Sequence, residues 1–112
     1  MNDRTIQILY KILSEIQVID ELAEGTALED FLHDEKIKRA VCMTLINIGE
    51  LVKSLPSVFM TRHPEIPWKS VAGMRDITAH KYQTLLMEDV WQTLKESIPP
   101  FKQRLEEIVK GM

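Results

Sequence analysis

The stretch EKIKRAVCMTLINIGELVKS, residues 35–54, decides the fold class. Ile37, Val41, Leu45, Ile48 and Val52 recur at steps of three and four, the apolar stripe of a helix that buries one face. Asp34 is placed to cap its start, and Glu35 in the first turn suits the positive end of the helix dipole. Ala40, Cys42 and Thr44 add small side chains that allow close packing. Gly49 breaks the pattern. A glycine inside a helix costs about 1 kcal/mol relative to alanine, so its presence predicts that another backbone comes close there. Glu50 beside it either faces solvent or pairs with an arginine.

Working outward, residues 4–23 carry Ile6, Leu9, Ile12, Leu13, Ile16, Ile19 and Leu22, a second stripe of the same spacing. Asp3 is the expected cap and Gly25 the stop. Residues 26–34 read as a connector with room for one short turn, its Leu28, Phe31 and Leu32 tucked on the core, His33 exposed. On the other side, Pro56 ends the 35–54 helix. Ser57 caps a short helix over 58–63, with His63 at its end. Pro64-Glu65-Ile66-Pro67-Trp68 is an extended connector, and Pro67 suits the first turn of the next helix. That helix is expected to run from Trp68 through the stretch up to Tyr82. Residues 83–87 break it. A last helix over 88–109 follows, with Pro99-Pro100 as a kink or a restart. The chain therefore reads as one all-α domain over residues 1–112, an antiparallel up-and-down helical bundle of four to five helices.

Composition agrees and narrows the function. Six methionines, four glycines and sparse aromatics favour helices over a β-sandwich. The one cysteine, Cys42, excludes an internal disulfide or a cysteine metal site and reads as a small buried hydrophobe. No apolar run nears the roughly 20 residues that span a bilayer, and the first residues show no hydrophobic signal region. A soluble cytoplasmic protein with no membrane contact is expected. There is no Gly-rich phosphate loop and no His-x-x-x-His pair, so neither metal nor cofactor is expected. The net charge of −3 argues against indiscriminate nucleic-acid binding. Residues 62–82 are the exception, with Arg62, Lys69, Arg75 and Lys81 against Glu65 and Asp76.

That window holds the candidate site: Gly73-Met74-Arg75-Asp76-Ile77-Thr78-Ala79-His80-Lys81-Tyr82, an Arg-x4-His-x-Tyr pattern. Arg75 is a permanent cation with a planar donor fork suited to phosphate. His80 can take or give a proton near neutral pH. A phosphate clamp beside a proton shuttle is a minimal site for cleaving RNA. On a continuous helix Arg75 and Tyr82, seven apart, share a side, whereas Arg75 and His80, five apart, diverge by about 140°. Either the helix loosens near His80 or a second copy completes the site. Asp76 either orients His80 or pairs with Arg75.

These residues resemble a known family. Ile48-Gly49-Glu50, Pro64-Glu65-Ile66-Pro67-Trp68, Gly73-Met74-Arg75-Asp76 leading into His80-Lys81-Tyr82, and Val90-Trp91 are similar in order and spacing to the HepT-type toxins of the HEPN superfamily. The resemblance implies a homodimer whose Arg75 and His80 motifs line a cleft. It implies a metal-independent endoribonuclease, the toxin of a type VII toxin–antitoxin pair. Its partner would be a minimal nucleotidyltransferase antitoxin of the MntA type, which transfers AMP to the motif tyrosine, here Tyr82. Asp76 departs from the asparagine common at that position. The rival reading is a non-catalytic HEPN module in which Arg75, His80 and Tyr82 bind a nucleotide or dock the nucleotidyltransferase.

Overall fold

The computed structural model describes residues 2–77 and 82–112. Its first helix, α1 (Asp3–Ala23), starts one residue earlier than expected. Asn2, not Asp3, is the cap, its side chain accepting from Thr5 N at 2.8 Å. Gly25 adopts φ 71° and ends the helix, a backbone turn that favours glycine. The connector that follows contains a short helix, α2 (Leu28–His33), which buries Phe31 fully and leaves Leu28 exposed. Asp34 then caps α3 (Glu35–Lys53), accepting from Ile37 N at 3.0 Å. Two short helices follow, α4 (Ser57–Arg62) and α5 (Trp68–Ala72).

Here the structure departs from the sequence reading. The helix begun at Trp68 does not continue to Tyr82. It ends at Ala72, tightens into a 3-10 turn over Gly73–Asp76, and Ile77 is extended. From Met87 on, the chain folds as α6 (Met87–Gln92), a π-turn over Thr93–Ser97, and α7 (Ile98–Lys110). Of the two options read for Pro99 and Pro100, a kink or a restart, the structure takes the restart. Both prolines fall at the start of α7, where a missing N–H costs least. The wide turn before them, in which Ile98 N–H donates to Thr93 O, makes room for their rings.

α1 and α3 run antiparallel, Lys11 lying beside Leu51 and Ser54, and Glu15 beside Asn47. The Asn47 amide donates to Glu15 at 2.7 Å. α7 packs on α1, where Lys102 pairs with Asp20 at 2.8 Å. The core is the two predicted stripes, Leu9, Ile12 and Ile16 of α1 and Val41, Leu45, Ile48 and Val52 of α3, closed by Leu94 of the π-turn and Ile98, Phe101 and Leu105 of α7. Burying each such side chain contributes about 1.5–3 kcal/mol. Cys42 is free and buried, and burial pushes its thiol pKa up. Among the described residues no helix is long and apolar enough to cross a membrane.

Candidate functional site

The Ile-Pro-Trp connector is an anchor. Ile66 and Trp68 are buried, and the Trp68 indole N–H donates to His63 O at 2.9 Å. The Trp68 ring lies 5.8 Å from Phe59 and 6.2 Å, edge-on, from Phe101. With both ends of the connector tied down, α5 and the 3-10 turn after it lie across α3. The contact falls at Gly49. A Cβ added there would sit 2.5 Å from Arg75 N and 3.0 Å from Ala72 O. The interior glycine therefore buys its helix cost back by letting the turn that carries Arg75 rest directly on α3.

The Arg75 side chain faces the residue after that glycine. Its Nη1 is 3.5 Å from Glu50 Oε1, and its Nε is 4.0 Å from Asp76 Oδ1. Glu50 thus meets both halves of its reading, since its side chain is 58% exposed and pairs with an arginine. Asp76 lies beside Arg75, one of its two options; the other involves His80, which is outside the described residues. Both pairs reach water, so each is worth only about 0.2–1 kcal/mol. They aim the guanidinium without locking it.

His80 lies outside the described residues, together with Thr78, Ala79 and Lys81. Tyr82 is described, and it does not share a helix side with Arg75. Its hydroxyl donates to Glu35 Oε1 at 2.7 Å, and the Arg39 guanidinium sits 4.9 Å from its ring centre. Arg75 contacts the other end of α3, and from residue 39 to residue 49 the helix advances about 15 Å. Partial burial, and then the hydrogen bond to Glu35, push the Tyr82 pKa up to about 12. The same hydrogen bond holds the Glu35 carboxyl below its ordinary value, helped by Lys38 and Arg39.

The Glu35, Lys38 and Arg39 cluster was missed in the sequence. Its spacing of three and four is visible there, but only as common helix-surface ion pairs, here 3.1 Å and 3.0 Å long. Nothing local announces that Tyr82, 47 residues on, docks against it. Among the described residues no group of three His, Cys, Asp or Glu side chains is arranged to hold a metal ion.

The profile of the family described as "Ribonuclease HepT-like" matches residues 12–108. The chain belongs to this HepT-like family. A candidate RNase of Caldanaerobacter subterraneus subsp. tengcongensis is 37% identical over 102 residues, covering 91% of each chain. The probable ribonuclease HepT of Thermococcus cleftensis is 40% identical over 102 residues, 91% of this chain and 93% of that one. A candidate RNase of Methanocaldococcus jannaschii is 38% identical over 104 residues, 93% of this chain and 90% of that one. No solved structure matches significantly. The HepT-like match spans α3, the Gly49 contact and the Arg75 turn.

Proposed function

We propose that this chain is a metal-independent endoribonuclease, the toxin of a toxin–antitoxin pair, with Arg75 and His80 as its catalytic residues. The observation that carries the reading is the Arg75 turn seated on Gly49 in a chain of the HepT-like family. The substrate's own 2′-hydroxyl attacks the adjacent phosphorus, and the 5′-oxygen of the next nucleotide leaves. His80 takes or returns the proton, a contribution of about 10²–10⁴-fold. Arg75 stabilises the charge that grows on the phosphoryl oxygens, while Glu50 and Asp76 aim it. Two copies bring their motifs to one cleft. A minimal nucleotidyltransferase neutralises the toxin by transferring AMP to Tyr82, which adds bulk and negative charge to the RNA-binding surface.

The test is the chemistry of the products. A defined RNA in excess EDTA should be cut to 2′,3′-cyclic phosphate and 5′-hydroxyl ends. A strand with a single 2′-deoxy sugar at the cut site should survive. Cutting of the deoxy strand, or cutting only after Mg²⁺ is restored, would refute the reading.

One observation favours the non-catalytic alternative. Arg75 already has two carboxylates beside it in a chain of net charge −3. On that reading the same face docks the nucleotidyltransferase, and no RNA is cut under any condition.

A further inference from the structure

The contacts of Tyr82 raise a question that the ribonuclease site leaves open. If this tyrosine accepts a nucleotidyl group, something must take its proton. With a pKa near 12, almost none of the phenol is ionised at neutral pH. The hydroxyl already points at an acceptor, Glu35 Oε1, 2.7 Å away. That carboxylate is flanked by two cations, Lys38 Nζ at 3.1 Å and Arg39 Nε at 3.0 Å. Arg39 also covers the Tyr82 ring, so it stands beside the nucleophile as well as the base. The four groups come from two segments, and no described contact ties them to the Arg75 pair.

We propose that Glu35 is the proton acceptor for nucleotidyl transfer to Tyr82, and that Lys38 and Arg39 hold the α-phosphate of the incoming nucleoside triphosphate. The proposal rests on the reading of Tyr82 as the modified residue. In the step, Tyr82 Oη bonds to the α-phosphorus. The bond from that phosphorus to the bridging oxygen of the β-phosphate breaks, and pyrophosphate leaves with the electron pair. The phenolic proton passes to Glu35 Oε1 and on to water. A weakly basic carboxylate suffices, because the phenol becomes strongly acidic as its oxygen bonds to phosphorus; kinases use an aspartate on a substrate hydroxyl in the same way. Among the groups in direct contact, two cations against one carboxylate leave one positive charge for the phosphate. After transfer the new phosphodiester anion sits where Glu35 was accepting, so Lys38 and Arg39 exchange a carboxylate partner for a phosphate.

The base is thus carried by the protein being modified. Besides Tyr82, the titratable groups at this spot are Glu35, Lys38, Arg39 and the buried Cys42 of α3, and Glu29, Asp30 and His33 of α2, with Asp34 and Lys36, line the groove that Glu35 borders.

The test uses the full-length chain, α-labelled ATP and a minimal nucleotidyltransferase, with the label mapped by mass spectrometry. Glu35→Gln keeps an oxygen that accepts from Tyr82 but cannot take its proton. Its labelling should fall about 100-fold or more at neutral pH, and its rate should climb with pH while that of the unsubstituted chain stays level. Arg39→Ala should raise the KM for ATP. Circular dichroism confirms that each variant is folded. Labelling of Glu35→Gln at the unsubstituted rate overturns the proposal and leaves the role of Tyr82 standing. Failure of the unsubstituted chain to take label on Tyr82 overturns both.

Discussion

Replacing Gly49 with alanine separates the close-approach account from simple helix propensity, because the two predict opposite signs. Propensity alone favours alanine by about 1 kcal/mol in a helix interior. The structure puts the new Cβ 2.5 Å from Arg75 N, 3.0 Å from Ala72 O and 3.1 Å from Arg75 Cα. All three are backbone atoms, which cannot swing aside as a side chain can. Ordinary contact begins near 3.4 Å, so the turn must back away by about 0.9 Å. Such overpacking costs about 1–3 kcal/mol. Set against the propensity gain, the net is a loss of up to about 2 kcal/mol. The displaced residue is the proposed phosphate clamp, and a misplacement near 1 Å costs on the order of 10²-fold in rate. The assay is urea denaturation beside RNA cleavage, with Gly73→Ala as control. A Cβ at Gly73 meets nothing within 4 Å, and its φ of −64° suits any residue. That variant should be neutral or more stable by about 0.4–1 kcal/mol. A Gly49→Ala chain that is about 1 kcal/mol more stable and cuts at full rate would refute the reasoning.

Trp68→Ala should destabilise the chain by about 3–5 kcal/mol in denaturant titration, since the ring is buried between Phe59 and Phe101. Trp68→Phe, which keeps a ring but loses the bond to His63 O, should cost far less. Glu50→Gln frees Arg75 of an exposed partner. Its KM for RNA should fall up to about fivefold at low salt, and the difference should fade as salt is added. For Tyr82, a pKa near 12 stands above the ordinary 10, so the fold favours the protonated phenol. Its contribution to stability is full below pH 10 and is lost as pH rises through 12. Tyrosinate absorbance in a Tyr10→Phe background should show that late titration. Glu35→Gln should move it only part of the way down, because burial is the larger cause.

The long elements were legible because their signals are local. Apolar spacing marked α1 and α3, Asp34 announced a cap, and Gly25 a stop. Gly49 was legible as a close approach because an interior glycine has a cost that needs a reason. The break after Ala72 was not. Gly73 at the C-cap is a local stop signal that went unread, because Met74 and Arg75 after it continue a helix by propensity, and the 3-10 turn goes with packing on α3, a tertiary contact. The Tyr82 and Glu35 pair was hidden for the same reason, since 47 residues separate its members. Pro99-Pro100 was legible as a kink or a restart, and the structure takes the restart. The rule that proline breaks helices holds in an interior, and the π-turn converts this position into a helix start. The placement of Arg75 against Glu50 and Asp76 was one of the options read from the sequence; that of His80 lies outside the described residues.

The most direct test of the central claim is cleavage of one defined RNA, in excess EDTA, by the unmodified chain beside folded Arg75→Ala and His80→Ala variants. The account predicts cutting by the unsubstituted chain and a loss of about 10²-fold or more in each variant. Equal cutting by all three, or none by the bare unsubstituted chain across several RNAs, would contradict it.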